Sequence, residues 1–180
     1  FIARITAVVI ITSTVVIALV CLVAGMEPVR AGLHAFWISI SAFVTGGFTP
    51  MAQSILYYHS FPLEIILMVL MILGSISFVI HAEVWKGRVG MFFRDIETRT
   101  TLIWLGLMTV VLIATLSTSP LFSDLPALIR RGLFMVVSSF TTTGFQVITT
   151  NQLTTVLTSG AFLTLALIMA VGGGAGSTAG

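Results

Sequence analysis

The stretch Ser41–Pro50, "SAFVTGGFTP", decides how this chain is read, because Ser138–Val147, "SSFTTTGFQV", says nearly the same thing 97 residues later. Over the first eight residues the copies agree at Ser41 and Ser138, Phe43 and Phe140, Thr45 and Thr142, Gly47 and Gly144, and Phe48 and Phe145. Five matches in eight, at the same place within two similar hydrophobic patterns, mark an internal repeat. Repeats of this kind announce the symmetry around which a transport site is built.

Outside the two copies the chain is apolar. Of its 180 residues 57% are hydrophobic and 8% charged, where a water-soluble domain carries about 25% charged residues. This composition implies an all-α integral membrane protein. The net charge of +2 is too small and too scattered to imply a nucleic-acid partner. One cysteine, Cys21, lies inside an apolar run, which excludes an intrachain disulfide framework and leaves packing as its role. The chain begins with Phe1 and stops inside a glycine-rich motif, so a piece of a longer protein is expected.

Four runs approach the ~20 apolar residues that a helical span needs: Ile5–Ala24, Leu63–His81, Leu102–Leu116 and Leu153–Val171. The first is too long for the apolar core of a signal peptide, and the third is short unless Ser117–Ser119 join it. Between the first and second runs lies Ala31–Phe43, and between the third and fourth lies Pro126–Phe140. At 1.5 Å per residue each such helix covers about 20 Å, too little for a ~30 Å core. Both therefore read as re-entrant helices. Each is followed by a Thr- and Gly-bearing loop, and non-helical backbone at membrane depth persists only where it is buried or lines a water-filled path. The pattern is span, re-entrant helix with loop, span, written twice, with units at 1–90 and 91–180.

Basic residues set the orientation. Arg4 and the linker residues Lys86, Arg88, Arg94 and Arg99 outnumber Arg30, Arg130 and Arg131. The linker, 82–100, is thus expected in the cytoplasm and both loops toward the outside. Trp85 and Trp104 then fall near the inner interface and Tyr57 and Tyr58 near the outer one, and "VGMFFRDIETR" reads as a short interfacial helix. His34, His59 and His81 have no partner spacing and read as interfacial. Glu64 is expected to reach water at the outer end of its span, and Glu27 and Asp124 to lie in outer loops at the mouth.

A re-entrant helix that stops halfway points unpaired carbonyls and a partial negative charge at the membrane centre, which attracts cations. The loops that follow, Val44, Thr45, Gly46 and Gly47 in one copy and Thr141, Thr142, Thr143 and Gly144 in the other, can present backbone carbonyls in place of an ion's hydration shell. Gly47 and Gly144 lack the Cβ that would restrict how those carbonyls turn. Neither loop carries an acidic side chain, which favours a monovalent cation. Phe48 and Phe145 read as packing residues behind the loops.

Two S-x-F-x-T-x-G-F segments between apolar runs, with "MAVGGGAGSTAG" at the end, resemble the Trk/Ktr/HKT superfamily of potassium transporters. The resemblance implies tandem M1-P-M2 repeats of potassium-channel type, of which this chain holds the second and most of the third. It also implies K⁺ as the transported ion, held by the carbonyls of the two loops, with no other cofactor. Gly172, Gly173, Gly174, Ala175, Gly176, Ser177, Thr178, Ala179 and Gly180 match the superfamily's intramembrane gating loop; the Gly-Ile-Lys that follows there lies beyond Gly180. A homodimer in the plasma (inner) membrane, with a cytosolic nucleotide-binding regulatory subunit, is implied in the same way. In this chain Gly46 stands where the superfamily more often has another small or polar residue, and the second run carries only "LGSISF" at Leu73–Phe78. The competing readings are a sodium-permeable member of the superfamily, a secondary transporter with discontinuous helices for another small solute, and a membrane enzyme. The last is weakest, because no Ser-His, Cys-His or paired-carboxylate arrangement occurs inside the runs. A phosphate-binding loop at Gly172–Gly180 is disfavoured because no Lys follows within the chain. A continuous small-residue packing helix is disfavoured by three consecutive glycines.

Overall fold

The computed structural model describes residues 2–117, 125–149 and 157–179. Thr118, Ser119, Asp124, Gly180 and the start of the run expected from Leu153 lie outside the described residues. The described secondary structure is helical: α1 (Ile2–Val23), α2 (Pro28–Phe43), α3 (Phe61–Ser75), α4 (Phe78–Trp85), α5 (Gly90–Arg94), α6 (Ile96–Leu116), α7 (Leu125–Phe140) and α8 (Ser159–Val171), with a 3₁₀ turn at Ser54–Tyr58.

Helix α1 buries Ile5, Ser13, Ile17 and Cys21, positions spaced by multiples of four that form one stripe. Its other faces are apolar and exposed, including Ile11, Val15 and Leu19, as expected of a helix bathed in lipid. It stops in a Schellman motif: the Gly25 N–H donates to the Leu22 carbonyl and the Met26 N–H to the Cys21 carbonyl. Three residues after Gly25, Pro28 starts α2, at the position where proline's missing N–H costs nothing.

Helices α1 and α6 are long and apolar enough to cross a membrane. The run Leu63–His81 is not one helix: α3 and α4 meet at 102° across Ile76 and Ser77. Ile76 is extended, and the Ser77 hydroxyl caps the new helix by accepting from the Val79 N–H at 3.4 Å. The third run begins earlier than expected, at Ile96, because Asp95 caps α6 by accepting from the Thr98 N–H at 2.8 Å. The interfacial helix is correspondingly short, Gly90–Arg94. Helix α8 has 13 residues, about 20 Å at 1.5 Å per residue, with the Thr158 hydroxyl accepting from the Ala161 N–H at its start.

The packing is repeated as the sequence is. Helix α1 lies on α2 and α2 on α3; α6 lies on α7 and α7 on α8. The halves meet through α3 and α7 and share one apolar core that includes Ile17, Ile38, Met71, Leu112 and Phe134. A second joint is ionic. Arg130 of α7 grips both oxygens of Glu64 at 2.6 Å, with its guanidinium 5.1 Å from the Phe61 ring. Glu64 is only 5% exposed, so the carboxylate expected to reach water is satisfied by an inter-half partner instead.

Candidate functional site

Helices α2 and α7 both end one residue before their loops, and the loops turn in the same way. The Val44 N–H donates to the Ile40 carbonyl, Thr45 to Ala42 and Gly46 to Ser41; 97 residues on, Thr141 donates to Val137, Thr142 to Ser139 and Thr143 to Ser138. Thr45 and Thr142 then take left-handed backbone angles, with φ of 53° and 55°, and Gly47 and Gly144 do so again at 69° and 84°. A β-branched residue with positive φ is an outlier and costs of order 1–3 kcal/mol unless its surroundings impose it. Two such residues at equivalent positions are a constraint written into both copies. The hydroxyls repeat the pattern too: the Thr45 hydroxyl lies 2.7 Å from the Val44 carbonyl and the Thr142 hydroxyl 2.7 Å from the Thr141 carbonyl.

The copies are brought together. A Cβ on Gly47 would overlap the backbone oxygen of Thr143, so the first loop touches the second where a side chain cannot fit. Beyond the loops the Leu56 N–H donates to the Gln146 carbonyl and the Gln146 N–H to the Ser54 hydroxyl.

The copies also differ. Phe145 is 2% exposed and packs in the core, whereas Phe48 is 80% exposed, so the packing role expected of both phenylalanines holds in the second loop only. Ser138 donates to the Phe145 carbonyl at 2.9 Å, while the buried hydroxyl of its counterpart Ser41 has no partner. Thr141 and Thr143 join hydroxyls at 2.7 Å; their counterparts are Val44 and Gly46, which have none.

The glycine-rich segment packs against the first loop. Helix α8 ends at Val171 and Gly172 has φ 65°, which removes the continuous packing helix as a reading. The segment then fills the break between α3 and α4. The Gly174 N–H donates to the Ser75 carbonyl at 2.9 Å, Thr178 to Gly74 at 3.0 Å, and Phe78 to the Gly176 carbonyl at 3.1 Å. These bonds satisfy backbone groups that a helix end leaves orphaned, which explains how α3 can stop at Ser75. The Thr178 hydroxyl lies 2.8 Å from the Phe43 carbonyl and 2.7 Å from that of Gly74, and the Thr178 carbonyl accepts from the Thr45 hydroxyl at 2.9 Å. Thr178 thus ties the segment to the end of α2 and to the first loop. Nothing in "LGSISF" alone announces this role; the available signal is the unusual Gly-Ser pair, Gly74 and Ser75, inside an apolar run. A Cβ on Gly74 would meet the Phe43 oxygen.

The sites named from sequence therefore converge, except Gly180, which lies outside the described residues. His34 is buried with its Nδ1 2.7 Å from the Tyr58 hydroxyl, and the half-buried His81 has its Nε2 2.9 Å from the Leu73 carbonyl. No group of His, Cys, Asp and Glu able to hold a metal occurs among the described residues, and the loops present only backbone and hydroxyl oxygens.

Apolar helices surrounding matched, non-helical loops define an all-helical, multi-pass membrane transport protein. The chain belongs to the TrkH family of cation transport proteins, whose profile matches residues 1–180. It is 32% identical over 137 residues to the Trk system potassium uptake protein TrkH of Halomonas elongata, covering 76% of this chain and 27% of that one. It is 31% identical over 173 residues to TrkH of Escherichia coli, covering 93% and 33%. The crystal structure of the potassium transporter TrkH from Vibrio parahaemolyticus superposes with a TM-score of 0.75 at 25% identity, covering 94% of this chain and 35% of that one. The chain thus spans about a third or less of the relatives it matches. These relatives are potassium uptake proteins and a potassium transporter.

Proposed function

We propose that the chain supplies two M1-P-M2 units, 1–90 and 91–180, to a pathway for potassium uptake across the plasma membrane. In this reading α2 and α7 are the pore helices, and the carbonyls of Val44 to Gly47 and Thr141 to Gly144 replace the hydration shell of K⁺. The recurrence of left-handed backbone at Thr45 with Gly47 and at Thr142 with Gly144 carries it. Alternating the sign of φ rolls successive peptide planes so that their carbonyls can face one side, and the alternation recurs in two loops 97 residues apart. The C-terminal ends of both pore helices add their partial negative charge at the same place.

The glycine-rich segment from Gly172 to Gly180 is the gate. Its contacts with Thr45 and Phe43 support a position directly under the first loop, where it would obstruct an ion that had passed the carbonyls. The loops face outward and the linker 82–100 faces the cytoplasm. A homodimer and a cytosolic nucleotide-binding subunit complete the assembly.

Rubidium uptake by potassium-limited cells that depend on the full-length protein tests the assignment. Gly47→Ser and Gly144→Ser should each reduce uptake and weaken the preference for K⁺ over Na⁺. Unchanged uptake and preference in both variants sinks the filter. Deletion of Gly173–Ser177 should raise ion leak, and an equal or lower flux rules out a gate there.

A further inference from the structure

The glycine-rich segment has a contact on its other side that the pathway reading does not use. The Ala175 N–H donates to Glu97 Oε1 at 2.5 Å, joining residues 78 positions apart. Glu97 sits in the first turn of α6, where a carboxylate ordinarily serves the helix's own unpaired N–H groups. Here Asp95 already does that work, accepting from both the backbone N–H and the hydroxyl of Thr98. Glu97 is left to reach across to the segment. The backbone receives it closely: a Cβ on Gly174 would lie 3.2 Å from the same carboxylate oxygen and 3.3 Å from its carbon. Glu97 also lines a cleft of about 310 Å³ with Thr100, Thr101, Trp104 and Gly172–Gly174, so the segment has room on this side to move once released.

The two ends of the segment are held unequally. Thr178 is tied to α3 by its backbone N–H, to α2 and α3 by a hydroxyl lying between the Phe43 and Gly74 carbonyls, and to the first loop by its carbonyl beside the Thr45 hydroxyl. The Gly172–Ala175 half is held by the Gly174 N–H on the Ser75 carbonyl and, on the α6 side, by the carboxylate of Glu97, on a helix whose start follows directly from α5 and the charged linker. A carboxylate acceptor makes a stronger bond than a neutral one, yet a tie from a partly exposed side chain is easier to free than the ties that hold Thr178.

We infer that Glu97 is a positioning residue that holds the Gly172–Ala175 half of the segment in place, so that a displacement of the α5–α6 corner is transmitted to the segment. This rests on the gate reading for its consequence in transport, though not for the contact itself. The test uses full-length protein without other cysteines, carrying Ala175→Cys, in inside-out vesicles. The rate of modification by a membrane-impermeant thiol reagent is measured alongside rubidium flux. Glu97→Ala should speed modification about tenfold, the scale of losing one charge-assisted hydrogen bond. Glu97→Gln keeps an acceptor oxygen and should stay within about twofold of the parent. Modification of Glu97→Ala at the parental rate overturns the inference, as does Glu97→Gln reacting as fast as Glu97→Ala. Faster modification of Glu97→Ala with flux unchanged upholds the positioning role and overturns the gate. A rise in flux on deleting Gly173–Ser177 with no change in the Glu97→Ala rate does the reverse.

Discussion

The loop at 44–48 and the loop at 141–145 share a backbone and differ in how it is held. The same hydrogen bonds close both helices, and the same positions are left-handed. In the second loop the turn is then secured from within, by Phe145 in the core, Ser138 on the Phe145 carbonyl, and the paired hydroxyls of Thr141 and Thr143. The first loop has none of these ties. It is held from outside, by Thr178 and by the close approach of Gly47 to Thr143. One geometry is thus maintained by local packing in one copy and by a distant segment in the other. If the segment moves, the first loop is the one that feels it.

This contrast can be broken at several points. The largest difference should appear at the phenylalanines. Phe145→Ala removes a buried aromatic side chain and should destabilise the folded protein by about 3–5 kcal/mol, against about 0.5 kcal/mol or less for exposed Phe48. SDS-induced unfolding in mixed micelles measures both, and an equal loss at Phe48 would mean that a surface beyond these residues covers it. The glycines should reverse the order. Gly47→Ala combines left-handed strain with a backbone overlap and should cost about 3 kcal/mol. Gly144→Ala, where a Cβ meets nothing within 4 Å, should cost only the strain of about 1–2 kcal/mol.

A smaller effect is expected at the ion pair that fastens α7, and with it the second loop, to α3. Glu64→Gln should cost about 1–2 kcal/mol: breaking a fully buried pair costs more, but Arg130 is partly exposed and can recover solvation. A double-mutant cycle with Arg130→Met should return most of that loss as coupling, and additivity would show that the pair does not fasten the helix. Smallest is the serine pair. Ser138→Ala should cost about 1 kcal/mol, whereas Ser41→Ala removes a hydroxyl that bonds nothing and should be neutral or slightly stabilising. Equal losses at the two serines would show that Ser41 finds a partner when the protein is in a bilayer.

Much of this arrangement is legible before any coordinates. The repeat, the two short helices and the two loops are written in apolar run length and in matched Ser, Phe, Thr and Gly positions, because a helix of fixed rise either reaches across a bilayer or does not. The break in the second run is marked only by the Gly74–Ser75 pair. "LGSISF" is apolar enough to continue as helix, and it stops where Gly174, Gly176 and Thr178 supply backbone and hydroxyl partners from roughly a hundred residues away. Glu64 misleads for a similar reason. Its charge and position near a helix start suggest water, and the guanidinium that replaces water comes from the other half of the chain.

By itself, then, the sequence determined an all-helical membrane chain with two copies of one loop, since periodicity, run length and glycine placement act over a few residues. Only the tertiary structure decided that Phe145 is buried and Phe48 is not, that α3 ends at Ser75, and that the glycine-rich segment reaches Thr45 at one end and Glu97 at the other. Those outcomes depend on which backbone groups are left without partners after the local helices form, and the donors and acceptors that satisfy them lie far away along the chain.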